Sequence, residues 1–339
     1  MSPTHDEFVV AVVAPMSSGK TTILNAMLGK ALLPSKNEAC TAIPMKITDI
    51  DGLEEIRAQA IHLDGRVSGW VSLSDEDSCL SDWNTGTYTS IEIQGDFPNI
   101  DNHVKRMVFL DTPGPNNSTN MLHGELTHKI LSENGFTFLM FVLNTTQFGV
   151  EDERRLLRMV ADKLKIDGDH SSIVFLVNKI DALDLERDEC PKTHVGRVKS
   201  YLVEMGFKTP IVIPVMGKLS LELRVCLAAH KAQIALPFSS RVQCRIAHEI
   251  DYVLAFKETY GMALKYVPSA GIDFSPSSLH QNTAANIRIG DRDFTLEEII
   301  EAEIITGIPA LERCLQASLA SHGAHDPALV ASIARFTKA

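Results

Sequence analysis

The sequence has few aromatic residues (6% of 339), and its six cysteines, Cys40, Cys79, Cys190, Cys226, Cys244 and Cys314, include no C-x-x-C pair. Scattered thiols in a chain of this length argue for reduced cysteines rather than a disulfide framework. Basic charge is also short: Lys and Arg total 32 against 43 Asp and Glu, a net charge of −11. That deficit argues against broad contact with nucleic-acid phosphate and provides no general attraction to anionic lipid. No apolar run approaches the ~20 residues that a membrane-spanning helix needs. The opening MSPTHDEF is polar and acidic, so no secretory leader is expected. There is no internal repeat or low-complexity tract. His322 and His325 lack a partner for a metal site and read as a solvated helix end. The expectation is a soluble cytoplasmic protein, with an apolar fraction of 45% that is ample for a sizeable core.

The most informative stretch that is present is Phe8–Asn25, FVVAVVAPMSSGKTTILN. A β-branched apolar run reads as a buried parallel strand, breaks at Ala14-Pro15, and resumes as a helical pattern from Lys20. A strand, a tight loop and a helix opening on Gly-Lys-Thr form a phosphate cradle, because loop amides and the helix N-terminus point at an anion. Ser17, Ser18, Gly19 and Thr22 belong to the cradle, Lys20 would reach the β- and γ-phosphates, and Thr21 would hold Mg²⁺. The usual pattern opens on Gly, and this chain has Ala14 there.

Further along, strands are expected at Met45–Ile50, Ile56–Leu63, Arg66–Val71, Ile91–Gly95, Met107–Leu110, Phe136–Leu143, Ile173–Val177 and Ile211–Val215. Asp64-Gly65 signals a hairpin. Helices are expected at Thr21–Leu32, Met121–Leu131, Glu151–Leu164, His194–Met205, Leu219–His230 and Arg241–Tyr260. Val267–Arg292 reads as irregular, and Thr295 with Glu298 forms a capping box for a helix through Ile305. Pro309 then opens a last helix ending near Gly323. The alternation predicts an α/β fold of the P-loop NTPase class, a mostly parallel, doubly wound sheet flanked by helices with a C-terminal helical extension. Residues 1–235 would form the core domain and 236–339 the extension.

Three more signals follow strands. Asp111-Thr112-Pro113-Gly114 puts a carboxylate where it can hold Mg²⁺, and the Gly114 amide can face a γ-phosphate. Asn178-Lys179-Ile180-Asp181 offers a carboxylate that accepts both the ring N–H and the exocyclic amine of guanine, braced by Asn178 and Lys179. Thr41, in the polar stretch before the second strand, can close over Mg²⁺ and the γ-phosphate. Met216-Gly217-Lys218 falls where a loop over the base is expected. The ordered set points to GTP or GDP with Mg²⁺, bound at the carboxyl ends of the strands.

Together PMSSGKTT, LLPSKNEACTAIP, LDTPGPN and VNKID resemble the dynamin superfamily, and the bacterial dynamin-like GTPases in particular. TQFGVEDERRLL is most similar to a subgroup that includes a clamp-binding, nucleoid-associated member. TGIPALERCL resembles the helix that closes a dynamin GTPase domain. The resemblance implies a large GTPase whose G domains pair head to head. It also implies a K⁺ or Na⁺ ion, held partly by Ser17, in place of an arginine finger. It further implies self-assembly and a membrane or protein partner reached through parts outside this chain, with peripheral membrane location. The chain is short for such a protein, so the expectation is a fragment of a longer one, with a stand-alone G domain carrying a small helical extension as the alternative. Met16 stands where eukaryotic members carry a polar residue that helps position the attacking water. Met16 and Ala14 motivate a second reading, a slowly hydrolysing GTP-dependent switch that docks a protein. A translation-associated GTPase is the third, disfavoured by the lack of a basic surface.

Overall fold

The computed structural model describes residues 7–34, 43–73, 79–83, 87–102, 105–112, 135–167, 173–185, 189–261 and 286–323. Its spine is β1 (Glu7–Val13), whose residues Phe8–Val13 are all buried. Such a strand must be covered on both faces and paired on both edges. Chain order continues through α1 (Lys20–Leu28), β2 (Met45–Asp49), β3 (Arg57–His62), β4 (Val71–Ser72), α2 (Cys79–Trp83), β5 (Tyr88–Gly95), β6 (Arg106–Asp111) and β7 (Phe138–Asn144). It then runs through α3 (Glu151–Asp167), β8 (Ile173–Asn178), α4 (Pro191–Glu204), β9 (Ile211–Val215) and α5 (Gly217–Ala232). Last come α6 (Ser240–Ala255), α7 (Lys257–Tyr260), β10 (Ile287–Ile289), β11 (Arg292–Phe294), α8 (Leu296–Ile305) and α9 (Ile308–Gly323).

Nine strands form one sheet in the order β4-β3-β5-β2-β6-β1-β7-β8-β9. β6, β1, β7, β8 and β9 are mutually parallel, whereas β2 runs antiparallel to β6 and parallel to β5. The expected α/β class with a mostly parallel sheet is the observed one. The alternation of side chains along β1 divides the core. Phe8, Val10 and Val12 pack with α1 and with Ile308, Leu311, Leu315 and Leu319 of α9. Ala11 and Val13 face the layer built by α3, α4, α5, α6 and α8. The C-terminal helices therefore share both core layers with the sheet.

Several boundaries differ from the sequence reading. The irregular stretch expected over Val267–Arg292 holds the β10–β11 hairpin at its end, with Gly290 at φ 64° in the turn. A Cβ on Gly290 would sit 3.0 Å from the Cys244 backbone, so the turn presses directly on α6. The strand expected over Arg66–Val71 shrinks to a two-residue β4 plus a single bridge between Ile61 and Val67. The tight turn itself forms, with Gly65 N–H donating to His62 O at 2.9 Å. The helix expected over Arg241–Tyr260 breaks at Phe256 into α6 and α7. The capping box at Thr295 and Glu298 is present in both directions. The expected helix at Met121–Leu131 lies outside the described residues.

Candidate functional site

Strand register brings distant residues to one edge of the sheet. Asp111 pairs with Val12, and Asn144 with Asn178, which in turn pairs with Val215. The C-terminal ends of β6, β7, β8 and β9 thus line up around the loop that leaves β1. Met45 pairs with Asp111, so the chain also enters β2 at this edge.

The loop from Ala14 to Gly19 is shaped by two left-handed residues, Ser17 at φ 58° and Gly19 at φ 83°. This conformation turns the chain back so that α1 starts at Lys20, with Ile23 N–H donating to Gly19 O at 3.0 Å. The Ser18 hydroxyl donates to Pro15 O at 2.9 Å across the turn. From β8, the Asn178 side-chain amide donates to Ser18 O at 2.8 Å, and its carbonyl accepts from Gly217 N–H at 3.1 Å. One buried amide therefore ties the phosphate loop to the first residue of α5. Gly19 is required at this contact, since a Cβ there would lie 2.3 Å from Asn178 Nδ2. The Lys179 ammonium donates to Ser17 O at 2.9 Å.

Lys20 and Asp111 form a buried ion pair. Asp111 Oδ2 is also buried and accepts no hydrogen bond. Thr112 Oγ1 donates to Val12 O at 2.9 Å, fixing the end of β6 against β1. Thr21 and Thr22 lie half-buried in the first turn of α1. Asp181 is solvent-accessible on its 3₁₀ turn, yet the protein packed around its carboxyl raises its pKa above the ordinary range. Glu249 adds to that rise, and Lys218 and Lys179 oppose it.

The structure thus brings Ser17, Ser18, Gly19, Lys20, Thr21, Thr22, Asp111, Asn178, Lys179, Asp181 and Gly217 to one sheet edge. Thr41 and Gly114 lie outside the described residues. Two contacts escaped the sequence reading. Asn144 Nδ2 donates to Ser17 O at 3.2 Å, and Thr145 Oγ1 donates to Asn178 O at 2.7 Å. The available signal was an Asn ending an apolar strand, as Asn178 does one strand over. The donor set fits a nucleotide with Mg²⁺: a left-handed amide turn, a buried ammonium, a hydroxyl in the first helical turn and a carboxylate oxygen with no protein donor.

A dynamin family model matches residues 10–180. Over 49 residues the chain is 41% identical to the clamp-binding protein CrfC of Escherichia coli strain K12, a stretch covering 14% of this chain and 7% of that protein. A chain from an oligomerised bacterial dynamin pair, described as a mechanism for long-range sensing and tethering of membranes, aligns with a TM-score of 0.48 at 16% identity, over 76% of this chain and 43% of its own length. Toc33 from Arabidopsis thaliana aligns with a TM-score of 0.38 at 11% identity, over 63% of this chain and 72% of that one. The chain thus spans well under two thirds of CrfC and of the bacterial dynamin chain. Among the described residues, no helix is long and apolar enough to cross a membrane.

Proposed function

The chain belongs to the dynamin family, and we propose that it binds GTP with Mg²⁺ and hydrolyses it most efficiently when two G domains pair. The observation that carries this reading is the Asn178 clamp, which joins the guanine-reading segment to the phosphate loop through Ser18 and to the following helix through Gly217. Lys20 is assigned to the phosphate oxygens, Thr21, Thr41 and Asp111 to Mg²⁺, and Asp181 to the guanine edge. The Gly114 amide is assigned to the γ-phosphate. Mg²⁺ held by Thr21, Thr41 and Asp111 would supply positive charge to offset the charge that develops on the phosphates. Lys20 brings a buried positive charge, the amides of Ser17–Gly19 orient the phosphates, and Asn178 with Lys179 keeps the loop in register.

No arginine occurs in Ala14–Thr22, Asp111–Pro115 or Asn178–Asp181, and Pro115 cannot orient a water as a glutamine side chain would. Completion of the site by a second copy of the chain, with K⁺ or Na⁺ near Ser17, accounts for this composition. Residues 1–235 act as the GTPase core and 236–339 as the extension that closes it. A membrane or protein target is engaged outside this core. The slow-switch reading rests on Met16, which is 38% exposed on the phosphate loop and offers no polar group to a water.

The test is the GTPase rate per molecule against protein concentration in K⁺, Na⁺ and Li⁺. The rate is expected to rise with concentration, to depend on the cation, and to vanish in Lys20→Ala. A low rate insensitive to concentration and cation, with GTP binding intact, would establish the slow switch instead.

A further inference from the structure

At the sheet edge opposite the nucleotide site, three carboxylates converge from two strand ends. Asp49 closes β2, Asp51 follows in the next turn, and Asp96 follows β5, whose Gly95 pairs with Asp49. One oxygen from each lies within 4.8 Å of the others. Asp49 is fully buried. Its Oδ1 accepts from Phe97 N–H at 3.0 Å, while its Oδ2 is buried with no hydrogen-bond partner. Asp51 accepts from the Asn102 backbone at 3.1 Å and from its side-chain amide at 2.7 Å. Asp96 accepts from Gly52 N–H at 3.2 Å. Among the described residues, no Lys or Arg pairs with any of the three.

Three carboxylates this close repel, and burying one without a counter-charge is costly. The backbone and amide donors orient carboxylate oxygens without neutralising them. A hard cation supplies both the charge and the missing partner for Oδ2. A site of three carboxylates suits Ca²⁺, which takes six to eight oxygen ligands in flexible geometry, better than Mg²⁺, which keeps several waters and is ordinarily held by one or two carboxylates.

We propose that Asp49, Asp51 and Asp96 form a Ca²⁺ site separate from the nucleotide site. Its ligands bracket the Asp96–Asn102 segment, which also holds α9. Asp101 exchanges hydrogen bonds with Gln316 at 2.8 and 3.0 Å, and Asn99 Nδ2 donates to Glu312 at 3.0 Å. Ca²⁺ would therefore brace the contact between the sheet and α9.

Calorimetric titration of the nucleotide-free chain with CaCl₂ tests the site. One Ca²⁺ per chain is expected, with a Kd of about 10⁻⁴–10⁻³ M as suits three carboxylates with water completing the shell, and with weaker Mg²⁺ binding. The thermal midpoint should rise with Ca²⁺. Asp51→Asn and Asp96→Asn, which alter half-buried or exposed groups, should each weaken binding at least about tenfold and remove the midpoint rise. Circular dichroism and retained GTP binding check that both variants fold. Asp111→Asn should leave Ca²⁺ binding unchanged. The proposal is overturned by no uptake up to about 10 mM Ca²⁺. Uptake that survives both variants, or that is lost in Asp111→Asn, overturns it equally.

Discussion

At the scale of single residues, Gly19 has the tightest requirement in the phosphate loop. Its φ of 83° belongs to the left-handed region, and a Cβ would collide with the Asn178 amide at 2.3 Å. Gly19→Ala must strain the backbone or displace the Asn178 hydrogen bond to Ser18. A loss of about 2 kcal/mol of stability is expected from those two effects together. Urea unfolding measures it, and titration with a fluorescent guanine nucleotide should show at least about a tenfold loss of affinity, since each 1.4 kcal/mol is a factor of ten. Gly19, Lys20 and Asn178 were legible in the sequence because each sits at a fixed offset from a strand end. Asn144 ends its apolar strand as Asn178 does, but nothing in the sequence says that β7 lies beside β1 with Asn144 against Ser17, 127 positions away.

At the scale of elements, α3 carries its own pH response. Glu153 lies in its first turn but is only 1% exposed, accepting from Gly149 N–H at 3.0 Å in the loop that leads into the helix. Burial pushes its carboxyl up to about 7, with the Gly149 amide, Arg154 and the Tyr201 hydroxyl pulling the other way. The folded pKa lies above the unfolded one. The group's contribution is therefore fully present below pH 4.5, the ordinary Glu value, and is lost as pH rises through 7. The shift corresponds to on the order of 3 kcal/mol across that window. Thermal midpoints from pH 5 to 8 should fall less steeply in Glu153→Gln than in the parent chain. The periodicity of α3 was readable from its apolar spacing. The inward position of an acidic residue was not, because acidic residues ordinarily mark an exposed first turn.

At the scale of the whole molecule, one buried cation joins the sheet's helical layer to the C-terminal helices. Arg224 of α5 bonds Glu303 of α8 at 2.6 Å, Glu312 of α9 at 2.6 and 2.9 Å, and the carbonyl of Ala26 in α1 at 3.0 Å. Ser220 donates to the same Glu303 at 2.8 Å. Four helices thus share one guanidinium, whose two carboxylates hold its pKa above the ordinary arginine value. Arg224→Ala would leave both carboxylates buried and unpaired, at a cost of about 3–5 kcal/mol. Urea unfolding should show that loss, and adding Glu303→Gln and Glu312→Gln should recover part of it. At the next junction, Gly307 at φ 80° lets α9 begin against β9, since a Cβ there would lie 2.1 Å from Pro214 O. The end of one helix at Ile305 and the start of the next near Pro309 were readable, but the seat of Gly307 on β9 was not.

The sequence by itself determined the local pattern: a strand that must be buried, a tight loop that opens a helix at Lys20, and a polar Asn178–Asp181 segment at a strand end. These follow from periodicity and from fixed spacings within a few residues. Only the tertiary structure decided which strand ends meet. It set Asn144 beside Ser17, seated Arg224 among four helices, and gathered Asp49, Asp51 and Asp96 at the opposite edge. Such contacts depend on register and on parallel crossovers between distant segments, and these leave no periodic trace in the chain.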